Sequence, residues 1–162
     1  MKFKIVRLTQ FNGIKAGIYS IYDFDEQKTL FECFLRENMT IFKSEIININ
    51  KTIVAINKKT GARETFFKVN EGNPGDGVCA LYDNPESNLR LYCIRYGNSL
   101  VILGGGGFKP KTIRKLQEDE KLKEENYFLR KISALITERI KTEEIQFSED
   151  GNELYGNLEF ED

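Results

Sequence analysis

Asn88-Leu-Arg-Leu-Tyr-Cys-Ile-Arg-Tyr96, Gly97-Asn-Ser99, Leu100-Val-Ile-Leu103, Gly104-Gly-Gly-Gly107, Phe108-Lys-Pro-Lys111: the reading of this stretch decides the fold. It reads as two paired strands that carry a flexible glycine loop and a small basic cluster to one end of a sheet. Side chains alternate along a strand. Leu89, Leu91 and Cys93 therefore share one face and read as core, while Arg90, Tyr92, Ile94 and Tyr96 share the other. The second set puts an arginine and two tyrosines on one surface. Gly97 and Asn98 supply a turn that accepts positive φ. Leu100 to Leu103 is apolar on both faces, as a central strand is.

Gly104 to Gly107 lose much backbone entropy on ordering, so such a run marks a place where the chain turns sharply or lies close to something. Lys109 and Lys111 follow, with Arg114 and Lys115 just beyond. Glycine-rich backbone beside lysines can bind phosphate through N–H groups and charge. The plainer alternative is a loop joining a strand to a helix, with solvated lysines at its end. No Gly-Lys-Ser/Thr closes the run, so it is not a Walker A loop.

A strand with Leu-Arg-Leu-Tyr, a polar turn, an apolar strand, a glycine-containing end and then Lys-x-Lys resembles the RelE/HigB superfamily of toxin ribonucleases, over residues 78–116. The resemblance implies that Arg90 contacts the scissile phosphate and that Lys109 and Lys111 add cations, the three together being catalytic. It implies a RelE-like core, with mRNA or the ribosome as target and an antitoxin-like protein as partner. Substrate contacts would come from Tyr92 or Tyr96 stacking on a base, and from Arg63, Arg114 and the backbone of Gly105 and Gly106. No cofactor and no metal is expected.

At 162 residues, 40% hydrophobic and 30% charged, the chain suits one domain with a real core. A net charge of −1 argues against broad nonspecific nucleic-acid binding, so a nucleic-acid site must be a local patch. The chain has no histidine, which removes Ser-His-Asp catalysis, histidine-paired ribonuclease chemistry and most zinc sites. Acid–base work falls to Lys, Tyr, Asp, Glu or Cys. Cys33, Cys79 and Cys93 fit neither a disulfide framework nor a zinc spacing and read as buried thiols in a reducing cytoplasm. No apolar run approaches membrane-spanning length, and the N-terminus carries no signal-peptide pattern.

Elsewhere the chain predicts an opening hairpin, with strands around Phe3–Leu8 and Ile14–Tyr22. A helix capped by Asp23 or Asp25 runs to Asn38, and a second runs from Ser44 to a Lys58-Lys59-Thr60-Gly61 end. Phe66-Phe67 is a short strand, and Asp76 shapes the turn before Val78. Thr112–Gln117 forms a helical turn or two, and a long helix covers 118–141. From Ser148 onward there are acids and no lysine or arginine. That end reads as a solvated tail, or as a decoy shielding the basic patch, or as a docking strand for a partner. The expected fold class is α+β: an antiparallel-dominated sheet with packed helices plus N- and C-terminal β-hairpins, as residues 1–141 and an acidic hairpin or tail over 142–162.

Two further functions fit these residues. A module of the same fold that binds a protein without cleaving is favoured by the lysine-free strand Val78–Tyr82, the near-neutral charge and the acidic end. A small-molecule or nucleotide binder using the glycine loop predicts a closed apolar pocket beside Gly104 to Gly107.

Overall fold

In a computed structural model, which describes residues 1–69, 71–81, 86–109 and 119–161, the quoted stretch is the centre of an eight-stranded sheet. The strands are β1 (Lys2–Arg7), β2 (Gly17–Asp23), β3 (Lys28–Thr29), β4 (Phe67–Lys68), β5 (Val78–Leu81), β6 (Leu89–Tyr96), β7 (Leu100–Phe108) and β10 (Glu159–Glu161). They run in the order β10-β1-β2-β7-β6-β5-β4, with β3 beside β2. β2 and β7 are parallel and the other described pairings are antiparallel. A separate hairpin, β8 (Ile145–Phe147) with β9 (Leu154–Gly156), closes one face. The fold is α+β, with helices on both faces.

The alternation read from β6 holds. Leu89, Leu91 and Cys93 join Val101 and Leu103 of β7 in one core, under α1 (Leu30–Asn38) and α2 (Lys43–Ala55). Tyr92 and Ile94 join Leu100 and Ile102 in the other, under α3 (Glu120–Lys141). β7 is buried on both faces, as its apolar run predicts.

Two buried polar side chains tie the layers together with their hydrogen bonds satisfied. Ser20 Oγ donates to Leu103 O at 2.7 Å and accepts from Phe31 N at 3.3 Å, joining β2, β7 and the start of α1. Asn57 accepts from Gly13 N at 2.7 Å and donates to Ala16 O at 2.9 Å, fixing the π-helical turn Ile56–Thr60 to the β1–β2 connection.

Three expectations need correction. The glycine run is not a loop: Gly104 to Gly107 are the second half of β7. The first helix is capped by Thr29, whose Oγ1 accepts from Glu32 N at 3.0 Å, after the short β3. Neither Asp23 nor Asp25 caps it; the Asp23 carboxylate shapes the preceding turn instead, accepting from Asp25 N at 2.9 Å. The acidic end is not a frayed tail. Phe160 stacks on Phe3 at 5.1 Å, and β10 pairs with β1, so β1, β2 and β7 separate it from β6. Arg139 anchors this end, its guanidinium 3.7 Å from the Phe160 ring centre. The residues of the expected Thr112–Gln117 turn lie outside those described.

Candidate phosphate site at the open end of β6 and β7

The site begins with strand register. Arg90 of β6 faces Gly107 of β7 and Leu89 faces Phe108, so Arg90 sits where both strands end. Lys109 follows directly, its N–H donating to Asn88 O at 2.6 Å. Lys109 is the first residue past the end of β7. Its Nζ lies 3.4 Å from Ser87 Oγ. Arg90 and Lys109 are both half-buried. Register thus carries two of the three expected cations to one sheet end; Lys111, with Arg114, is outside the described residues.

Glu45, in the first turn of α2, pins this end. Its carboxylate accepts from Asn88 N at 2.7 Å, Asn88 Nδ2 at 2.8 Å and Leu89 N at 3.1 Å. Charge-assisted bonds to backbone N–H groups are strong, and losing the acceptor leaves those donors unpaired. Glu45→Ala is expected to cost about 2 kcal/mol. A urea midpoint measures it, and a shift within error would mean the clamp does not hold β6.

The tyrosines are not a surface. Tyr92 is completely buried between the sheet and α3, and Tyr96 packs on Phe147 at 5.4 Å. Burial, helped by the charge of Asp76, pushes the Tyr96 phenol well above its usual range. Tyr92 offers no face to a base, which corrects the stacking role expected for it; Tyr96 is half-buried against Phe147. Arg63 also lies elsewhere. Its neighbour Ala62 bonds Asn98 in the β6–β7 turn, at the far end of β6 and about 20 Å from Arg90 by strand rise. The other arginine of β6, Arg95, is structural there, donating to Ala62 O and Asn98 Oδ1, each at 2.7 Å.

Gly105 and Gly106 are buried strand residues; α3 crowds Gly105, and the β6 backbone at Arg90 crowds Gly106. Lys121, Glu125 and Leu129 form one helical stripe at i, i+4 and i+8, and it lies over Gly107, Gly105 and Gly104. A β-bulge sits between Leu91 and Cys93, where β7 spends an extra residue opposite Tyr92. The glycines let a helix lie close on a bulged strand. The cavity beside Gly105, about 550 Å³, is lined mostly by charged side chains, including Asp23, Glu26, Lys28, Arg36 and Glu37. It is not the apolar pocket that a glycine-loop nucleotide binder predicts.

Lys121 is a cation of this region that its helical spacing alone assigns to solvent. It pairs with Glu125 at 2.8 Å and Glu37 at 3.4 Å. Burial pulls its pKa down, but the hydrogen bond and charge of Glu125, with Glu37, outweigh that and hold it above the usual value. It is therefore a neutralised cation and no general base. Among the described residues no three His, Cys, Asp or Glu side chains converge to hold a metal ion, and no helix is long and apolar enough to cross a membrane.

Comparison of the chain with protein-family models, with curated proteins and with solved structures finds no match.

Proposed function

We propose that this chain is a RelE/HigB-like toxin, an endoribonuclease acting on mRNA. The observation that carries the proposal is the register of β6 and β7, which puts Arg90 and Lys109 at one sheet end. Support also comes from the order of elements. The helical pair α1–α2 follows β2, and a meander then ends in the arginine strand and the strand leading to the basic cluster.

RNA supplies its own nucleophile. The 2′-oxygen loses its proton and attacks phosphorus, the P–O5′ bond breaks, and the departing O5′ takes a proton, leaving a 2′,3′-cyclic phosphate. Arg90 clamps two non-bridging oxygens with its planar fork. Lys109 and Lys111 add positive charge as it is needed in the transition state. Without histidine, proton transfer falls to lysine or to a carboxylate. The enzyme would work in the cytoplasm, held inactive by an antitoxin-like protein.

Expression of the wild-type chain is expected to arrest growth, and the purified protein to cut single-stranded or ribosome-bound mRNA into fragments ending in a 2′,3′-cyclic phosphate. Absence of both arrest and cleavage would sink the proposal. A second reading, a protein-binding module without catalysis, is favoured by one observation: α3 lies over the face of Arg90, with Lys121 already neutralised. That reading predicts a stable protein complex from the same expression experiment and no cleaved RNA.

A further inference from the structure

We infer that the stacked pair Phe42–Phe108 is a base-binding platform beside the phosphate site, and that its ligand is an unpaired nucleobase of single-stranded RNA. The inference rests on the ribonuclease reading and deepens it. Every residue of β7 from Leu100 to Gly107 is buried, and Phe108 is the first to leave the core, with 48% of its surface exposed. Its ring lies parallel to that of Phe42, at 5.7 Å and 12°. Phe42 precedes α2 and packs against the core beneath it, so the outer ring has a fixed support.

An exposed phenylalanine next to a cation, at the end of an otherwise buried strand, is what stacking on a nucleic acid needs. Bases stack on aromatic faces with little regard to sequence, while nearby cations hold the backbone. Lys109 is the next residue, and Arg90 lies across the strand pair from Gly107. Phe108 lies on Phe42, and Lys109 Nζ lies beside Ser87 at the same strand end. An RNA whose phosphate sits at Arg90 and Lys109 reaches Phe108 by passing across that end. Of the residues expected to stack, Tyr92 is buried under α3 and Tyr96 is half-buried against Phe147 of β8, which leaves Phe108 as the exposed ring of this strand pair. The other exposed aromatic rings among the described residues lie elsewhere: Tyr127 on α3 is already covered by Arg130 at 4.9 Å, and Tyr155 is on β9.

The test uses full-length protein and 2′-O-methyl oligonucleotides, which cannot be cleaved, carrying 2-aminopurine at successive positions. The wild type is expected to quench the probe at one position. Phe108→Leu should abolish that quenching and weaken binding roughly 5- to 100-fold, and Phe108→Trp should restore both. Thermal midpoints confirm that both variants are folded, and the wild-type quenching profile stands even if one is not. Unchanged binding and quenching in Phe108→Leu, with cleavage lost in Arg90→Ala, would overturn the platform and leave the nuclease. No binding and no cleavage by the wild type would overturn both. If Phe108→Leu releases a co-purifying protein and leaves RNA affinity intact, the patch belongs to a protein partner and the platform is overturned.

Discussion

Arg90→Ala is expected to lower RNA cleavage by roughly two to three orders of magnitude, the usual loss when a preorganised donor to a developing oxyanion is removed. The arginine sits on β6, the strand most deeply embedded in the meander, and its backbone is held by Gly107 across the pair and by the Glu45 clamp one residue earlier. Truncation removes the guanidinium and leaves the Gly107 pairing and the Glu45 bond to Leu89 N in place. Arg90→Met keeps the apolar stem against α3, so its midpoint should stay within about 1 kcal/mol of wild type while cleavage falls equally. Arg90→Lys keeps the charge but loses the fork. It should recover only part of the activity, since an ammonium cannot hold two oxygens in one plane. The same series read as growth arrest in cells should rank wild type first and Lys above Met and Ala. Full toxicity in Arg90→Met, at wild-type stability, would remove Arg90 from the chemistry and the ribonuclease proposal with it.

The strand content of the site was legible because strand period and apolar content agreed. Leu89 to Tyr96 alternates and is observed as β6 without change. Leu100 to Leu103 is apolar throughout and lies between β2 and β6. The glycine run misled for a physical reason. Composition reports that a backbone needs room, and both a flexible loop and a strand under a close helix need it. The discriminating signal was about twenty residues away, in the spacing of Lys121, Glu125 and Leu129 along α3, and only the fold puts that stripe on the glycines. Tyr92 illustrates the same limit. Its face was assigned correctly, but whether a sheet face is open or covered depends on a distant helix. The cap of α1 is written in the sequence: Thr29 followed three residues later by Glu32 has the capping-box pattern, but Asp23 and Asp25 upstream offer equally good cap residues. Glu45 was not readable at all, because its three donors belong to residues more than forty positions away.

Alanine at each of the four glycines should give a graded series, and the largest effect should fall at Gly106. A Cβ there would occupy the space of the Arg90 carbonyl oxygen and press on Leu91 Cα, both backbone atoms of the paired strand. Backbone cannot step aside without opening the β6–β7 ladder at the bulge, so Gly106→Ala should cost about 3 kcal/mol or more. For a chain of this size that is a fall of about 10 °C in melting temperature. At Gly105 the added methyl would meet the Glu125 carboxylate, the far end of a flexible side chain, so the cost should be about 1 kcal/mol. At Gly104 it would lie 3.0 Å from Leu129 Cδ2 and 3.2 Å from Tyr92 O, which is tight on both sides, and the cost should be about 1 to 2 kcal/mol. At Gly107 the nearest atom is Lys121 Cγ at 3.4 Å, an ordinary contact. There alanine should be neutral or stabilise by about 0.5 kcal/mol, because it removes backbone freedom from the unfolded chain. Such an ordering would mean that the glycines serve packing, with the phosphate held by side chains at the strand end. The reverse outcome, Gly106→Ala tolerated and Gly107→Ala folded but unable to bind RNA, would mean that the glycine backbone itself is the anion site. Arg90 would then be its neighbour and not its centre.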